Sequence, residues 1–283
     1  MHAVTRFAPS PTGRLHLGHA YSALLAHDFA REQDGTFLLR IEDIDPGRVR
    51  AQYVDGIIED LLWLGLEWDG EMPYQSERLA IYAEALERLK ADGLLYPCFC
   101  TRADIAAEIA ASAAAPQGPD GPAYPGTCRG LADPDLSRPH AWRLDVAKAM
   151  ARAGPLYWMD GDTEVQAEPG RFGDVVLARK DAPASYHLAV TIDDAAQGVT
   201  DVVRGRDLFA ATDVHRLLQA LLGLPTPLYH HHDLLTDAAG KRLAKRHDAP
   251  TLADLRAAGA DPEALVEALR RGELPAGYSR TEA

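Results

Sequence analysis

Cysteine is scarce in this chain, with three in 283 residues. So small and odd a number excludes the disulfide framework that holds small secreted domains together. No apolar run approaches the ~18 residues needed to span a bilayer. No charged segment followed by a short apolar stretch opens the chain, so the expectation is a cytoplasmic protein with reduced thiols. Positive charge is also in short supply: 29 Lys and Arg stand against 42 Asp and Glu, a formal charge of −13. Nonspecific binding to nucleic acid draws most of its affinity from phosphate neutralisation, so a nucleic-acid partner would need a local basic face. There is no internal repeat.

What is present is ordinary for a globular protein, with 47% apolar and 25% charged residues. The length allows one or two domains with a sizeable core. The most informative stretch is Arg6-Phe-Ala-Pro-Ser-Pro-Thr-Gly-Arg-Leu-His-Leu-Gly-His19. A short apolar strand, Val4 to Ala8, turns through two prolines and Gly13 and delivers His16, Gly18 and His19 to a helix expected over 17–33. Backbone N–H groups and imidazoles gathered at a helix start suit an anion.

Thr36 to Ile41 reads as a second strand, near-continuously apolar as in a sheet covered on both faces. Glu42-Asp43-Ile44-Asp45 follows at its carboxyl end, where ligands of open α/β sheets collect. Helices are expected over 48–64 and 77–91, and the alternation argues for a parallel sheet. From Tyr96 the pattern breaks into an Ala-rich helix over 102–114, a Pro/Gly loop over 116–126, and short strand-like pieces over 141–180 without a clear helix. Strands resume at Tyr186–Ile192 and Asp201–Arg204, then a helix over 210–223 and a strand from Leu228 to Leu235. Thr251 with Asp254 forms a capping box, and Asp261-Pro262 starts a last helix. The expected fold class is α/β, a doubly wound parallel sheet split by an insertion. The parts are 1–92 and 184–249 as the nucleotide-binding halves, 93–183 as the insertion and 250–283 as a C-terminal helical segment.

Taken as residues alone, two histidines at a helix start also fit a capped helix with exposed side chains. The whole run Ala8-Pro-Ser-Pro-Thr-Gly-Arg-Leu-His-Leu-Gly-His19 resembles the first nucleotide-binding motif of class I aminoacyl-tRNA synthetases in their glutamyl and glutaminyl form. The resemblance implies that His16, Gly18 and His19 bind ATP and that the histidines are catalytic. Lys241-Arg-Leu-Ala-Lys-Arg246 stands where that family carries its mobile Lys-Met-Ser-Lys-Ser loop, with Ala244 replacing a serine. Lys245 would there neutralise charge on the pyrophosphate. By the same resemblance Arg6 and Arg204 hold the γ-carboxylate of glutamate, Arg being suited to bidentate contact. Glu42 takes the ammonium group, and Ala8, Ser10 and Tyr186 line the pocket. The residue-level alternative is a set of ordinary ion pairs at strand ends.

Three thiols at close spacing, Cys98, Cys100 and Cys128, fit either Zn²⁺ or buried free thiols. Tyr96-Pro-Cys-Phe-Cys100 and Tyr124-Pro-Gly-Thr-Cys128 resemble the short paralogues of glutamyl-tRNA synthetase, which implies a structural Zn²⁺ with Tyr124 as fourth ligand. His140 is the fallback. His230-His-His232 and Asp193-Asp194 are left outside the site. Only about 35 residues follow the second lysine motif, so no anticodon-binding domain is expected. The short paralogues activate glutamate with ATP and Mg²⁺ and esterify queuosine in tRNA(Asp). That is the function expected here, in a monomer away from membranes. The rivals are a catalytic fragment charging a tRNA 3′ end, a nucleotidyltransferase of the same superfamily, and a noncatalytic paralogue.

Overall fold

The computed structural model describes residues 2–111, 117–119, 121–237, 250–274 and 278–281. Strand β1 (Val4–Phe7) leads through a proline loop into helix α1 (Leu17–Glu32), and the chain returns as β2 (Thr36–Leu39), parallel to β1. The turn before β2 needs Gly35, because a Cβ there would stand 2.3 Å from the Ala3 carbonyl oxygen. Helices α2 (Ala51–Trp63) and α3 (Leu79–Ala91) follow. Next come β3 (Leu95–Cys98), α4 (Arg102–Ala111) and the short pair β4 (Gln117–Gly118) and β5 (Gly121–Pro122). Then β6 (Ala141–Leu144), α5 (Val146–Ala153), β7 (Tyr157–Asp160), β8 (Thr163–Gln166) and β9 (Val176–Ala178) lead to α6 (Tyr186–Ala196). The chain continues with β10 (Asp201–Gly205), α7 (Ala211–Leu222), β11 (Leu228–His232) and β12 (Leu234–Asp237). It closes with α8 (Leu252–Ala257), α9 (Pro262–Arg270) and β13 (Tyr278–Thr281).

Two compact units result. The first comprises 1–77, 198–209 and 227–283. In it β10 pairs with β11 in parallel, and the Thr200 N–H just before β10 donates to the Val4 carbonyl of β1 at 3.0 Å. Helix α1 packs on β1, β2 and β10. One core runs through Leu17, Leu24, Phe37, Ile41, Ile57, Leu61 and Val203 and takes in Leu252, Val266 and Leu269 of the last two helices. Arg270 of α9 adds a two-armed ion pair to Asp28 of α1, at 2.8 and 3.0 Å. The C-terminal helices are therefore part of the first unit's core.

The second unit comprises 78–197 and 210–226. Its antiparallel sheet has the order β3-β6-β9, and β7 and β8 form a hairpin. Helices α3, α6 and α7 pack together within it.

Two expectations fail here. Residues 186–192 are not a strand but the start of α6, capped by the Ser185 side chain. Leu188 through Asp194 are all buried, so its apolar run has no polar face to betray a helical period. Thr191 satisfies its hydroxyl on the His187 carbonyl one turn back. Helix α5 falls where no helix was expected. It is only eight residues long and buries just Val146 and Ala149, with Asp145 as its cap. The expected helix 102–114 is described only as far as Ala111.

Candidate functional site

The loop after β1 builds its geometry from the backbone. His16 is the N-cap of α1, and its Nδ1 accepts from the Gly18 N–H at 3.1 Å. The His16 N–H in turn donates to Nδ1 of His19 at 3.2 Å, a capping box made of two imidazoles. Because both Nδ1 atoms accept, each ring in this arrangement carries its proton on Nε2. The two rings lie 3.8 Å apart between centroids. Gly18 sits under the first ring, and a Cβ there would meet His16 Cε1 at 3.0 Å. A helix N-terminus flanked by two imidazoles is the kind of place where a polyanion binds. The loop is tied on both sides: Glu42 N–H donates to the Pro9 carbonyl at 3.1 Å, and Leu252 N–H to the Leu15 carbonyl at 2.9 Å. Lys245, the other expected half of an ATP clamp, lies with Ala244 outside the described residues.

The expected glutamate ligands divide between the units. Arg6 in β1 and Arg204 in β10 are each 5% exposed, and Glu42 beyond β2 is 9% exposed. Ala8 is half-buried and Ser10 exposed in the loop of the same first unit. Tyr186 belongs to the second unit, at the first turn of α6 rather than at a strand end. There its ring meets His187 and His215 edge-on, each at 5.6 Å.

The sequence left two supporting residues without a role. Arg40, fully buried, reaches Glu42 Oε1 with Nη2 at 3.4 Å. Arg204 donates from Nε to His231 Nε2 at 3.1 Å and from Nη2 to the Leu208 carbonyl at 3.1 Å. The histidine triplet is thus divided by strand alternation. His231 orients Arg204, whereas His230 pairs with Asp201 at 2.9 Å and His232 with Ser22 at 3.1 Å. A period of two within β11 is the signal that could have separated them. Asp193 proves structural, bound by Arg78 at 2.8 Å and the Tyr82 hydroxyl at 2.7 Å.

The second unit gathers the thiols. Cys98, Cys100 and Cys128 place their sulfurs within 4.8 Å of one another. Cys100 and Cys128 sulfurs are 3.5 Å apart, and Tyr124 Oη lies 3.4 Å from Cys98 Sγ and 3.5 Å from Cys100 Sγ. A tetrahedron with metal–sulfur bonds of ~2.3 Å and metal–oxygen bonds of ~2.0–2.2 Å has edges of about 3.5–3.8 Å. The separations of 3.4–3.5 Å are close to that edge length. His140 instead donates from Nδ1 to the Arg138 carbonyl at 2.8 Å. Burial pushes the Cys100 thiol up to about 11 and the Tyr124 phenol above its usual range. At Cys128 burial also acts upward, but hydrogen bonds from Tyr124 and the Phe99 and Cys100 amides prevail and bring it to about 7. The set fits a metal ion, whose charge favours the ionised ligands.

Compared with known protein families, residues 2–280 match the model described as tRNA synthetases class I (E and Q), catalytic domain. The chain belongs to this family. It is 53% identical to the Glutamyl-Q tRNA(Asp) synthetase of Rhodobacter capsulatus, covering 92% of this chain and 96% of that protein. To the protein of the same name from Deinococcus radiodurans it is 47% identical, over 91% of this chain and 84% of the other. Among solved structures it resembles a glutamate tRNA ligase from Elizabethkingia meningosepticum in complex with its amino acid, with a TM-score of 0.77 and 26% identity. That match covers 95% of this chain, which spans 60% of the ligase. Among the described residues no helix is long and apolar enough to cross a membrane.

Proposed function

We propose that this protein activates L-glutamate with ATP and transfers the glutamyl group to the queuosine base of tRNA(Asp). The observation that carries the reading is the 53% identity, over nearly the full length of both chains, to a protein named for that reaction. The histidine-capped loop agrees with it. In the first step the α-carboxylate of glutamate attacks the α-phosphorus of ATP, and pyrophosphate leaves. No enzyme nucleophile takes part, so positioning and electrostatics carry the rate. The Nε2–H groups of His16 and His19 donate to the phosphates, Gly18 gives the nucleotide access to the backbone, and Lys245 neutralises the departing pyrophosphate. Mg²⁺ bound with ATP offsets charge on its phosphates. Arg6 and Arg204 hold the γ-carboxylate, Glu42 holds the ammonium group, and Ala8, Ser10 and Tyr186 line the amino-acid pocket. A hydroxyl of the queuosine ring then attacks the adenylate carbonyl and AMP leaves.

Cys98, Cys100, Cys128 and Tyr124 hold one structural Zn²⁺. In this reading 1–92 and 184–249 act as the nucleotide-binding halves and 93–183 as the metal-bearing insertion, with 250–283 closing the first. The protein works as a cytoplasmic monomer. Likeness to a glutamate tRNA ligase supports glutamate as the amino acid and keeps 3′-end charging as the rival.

The test is ATP–pyrophosphate exchange without tRNA, which should depend on glutamate and not on aspartate or glutamine. Lys245→Ala should lower exchange by about 10²–10³-fold. Arg204→Ala should raise the glutamate KM by roughly 10–100-fold, as loss of a charged hydrogen bond implies. Unchanged kinetics in both variants would refute the assignment.

A further inference from the structure

Helix α2 carries a carboxylate that the chemistry above does not use. Asp60 is fully buried, and neither of its oxygens has a hydrogen-bond partner among the described residues. A buried charge without hydrogen bonds is costly, so its retention calls for a cause. Two cations face it. Arg256 of α8 brings Nη1 to 3.7 Å from Asp60 Oδ1 while its Nη2 bonds Glu59 at 3.1 Å. Arg14 of the ATP loop lies over Gly56, one turn earlier on the same face of α2. A Cβ on Gly56 would stand 2.6 Å from Arg14 Nη1, so with glycine there the guanidinium lies close against the helix backbone.

The placement of these two arginines is specific. Arg14 stands two residues before His16, and Arg256 sits on α8, whose first residue, Leu252, follows the second lysine motif by six positions. The same helix joins the loop through Leu252 N–H to Leu15 C=O and through the bridge between Thr251 and His16.

Resting on the ATP-binding reading above, we propose that Asp60 is a positioning residue whose charge draws Arg14 and Arg256 together. It thereby fixes the histidine loop against α8. The charged groups around it are Glu59 on its own helix, Arg14 from the loop and Arg256 from α8. Burial raises the carboxyl to about 6, against the pull of the two arginines. Asp60 is thus charged at neutral pH, and the link is lost as pH falls through that value.

The test is Asp60→Asn, read in two ways. Glutamate-dependent exchange should show a wild-type acid limb near pH 6 that is absent in the variant. At pH 7.5 the variant's ATP KM should rise about tenfold, as for a lost coupling between contacting groups, with the glutamate KM unchanged. The protection factor of the Leu252 amide, taken against the intrinsic exchange rate at the same pH, should fall in the variant, and in wild type at pH 5. If the variant folds poorly, Arg256→Gln reads the same acid limb and the same amide. A wild-type acid limb that persists in Asp60→Asn, with an unchanged Leu252 amide, overturns the link alone. Wild-type protein without any exchange overturns the ATP-binding reading, and the positioning role with it.

Discussion

The histidine loop of the first unit is held by its own backbone: His16 accepts from Gly18 N–H, and its N–H donates to His19 three residues on. The thiol cluster of the second unit is held mainly by side chains from segments 24 to 28 residues apart, meeting at the Tyr124 hydroxyl. The loop's geometry comes from capping the helix start. In the cluster, burial raises Cys100 and Tyr124 against the ionised forms that a metal needs. One region is organised by local helix capping, whereas the other gathers buried groups whose ionised forms burial disfavours.

That difference predicts different responses to mutation. Cys98→Ser should abolish bound zinc, measured by elemental analysis, and lower stability by several kcal/mol, about the scale on which structural zinc contributes. A full complement of metal in the variant would erase the contrast. His16→Ala and His19→Ala should each reduce exchange by about 10²–10³-fold while costing only ~1 kcal/mol of stability, the value of a helix cap. Gly18→Ala should cost roughly 1–3 kcal/mol of transition-state binding, because the added methyl displaces the His16 ring.

The smallest effect concerns the clasp between α9 and α1. Burial acts to raise the Asp28 pKa, but hydrogen bonds from His27 and Arg270 prevail and hold it at about 2, below the ordinary 3.8. A carboxyl with a lowered folded-state pKa stabilises above pH 3.8 and loses that contribution as pH falls toward 2. Arg270 is partly exposed, so Arg270→Ala should cost roughly 1 kcal/mol near pH 7 and little near pH 2, read from thermal melts at both.

The sequence showed most where the signal is local. The helix start at Leu17, the Thr251–Asp254 capping box and the Asp261-Pro262 start all form as expected. The α6 segment was misread because a helix buried on every side shows the same apolar run as a central strand. Arg40 has no role legible in the sequence, because its tie to Glu42 depends on where β2 ends within the fold. His231 was set aside with its neighbours, since only pairing of β11 with β10 shows that it faces Arg204. Asp60 gave no sequence signal: one carboxylate in a helix becomes notable only once its burial is known.

The most direct measurement is transfer of labelled glutamate, with ATP and the protein present, to purified tRNA(Asp) with and without queuosine. Label should appear on the queuosine-containing tRNA alone, and should survive removal of the 3′-terminal nucleotides. Equal labelling of both tRNAs, lost with the 3′ end, would contradict the proposed acceptor and favour a tRNA-charging catalytic domain.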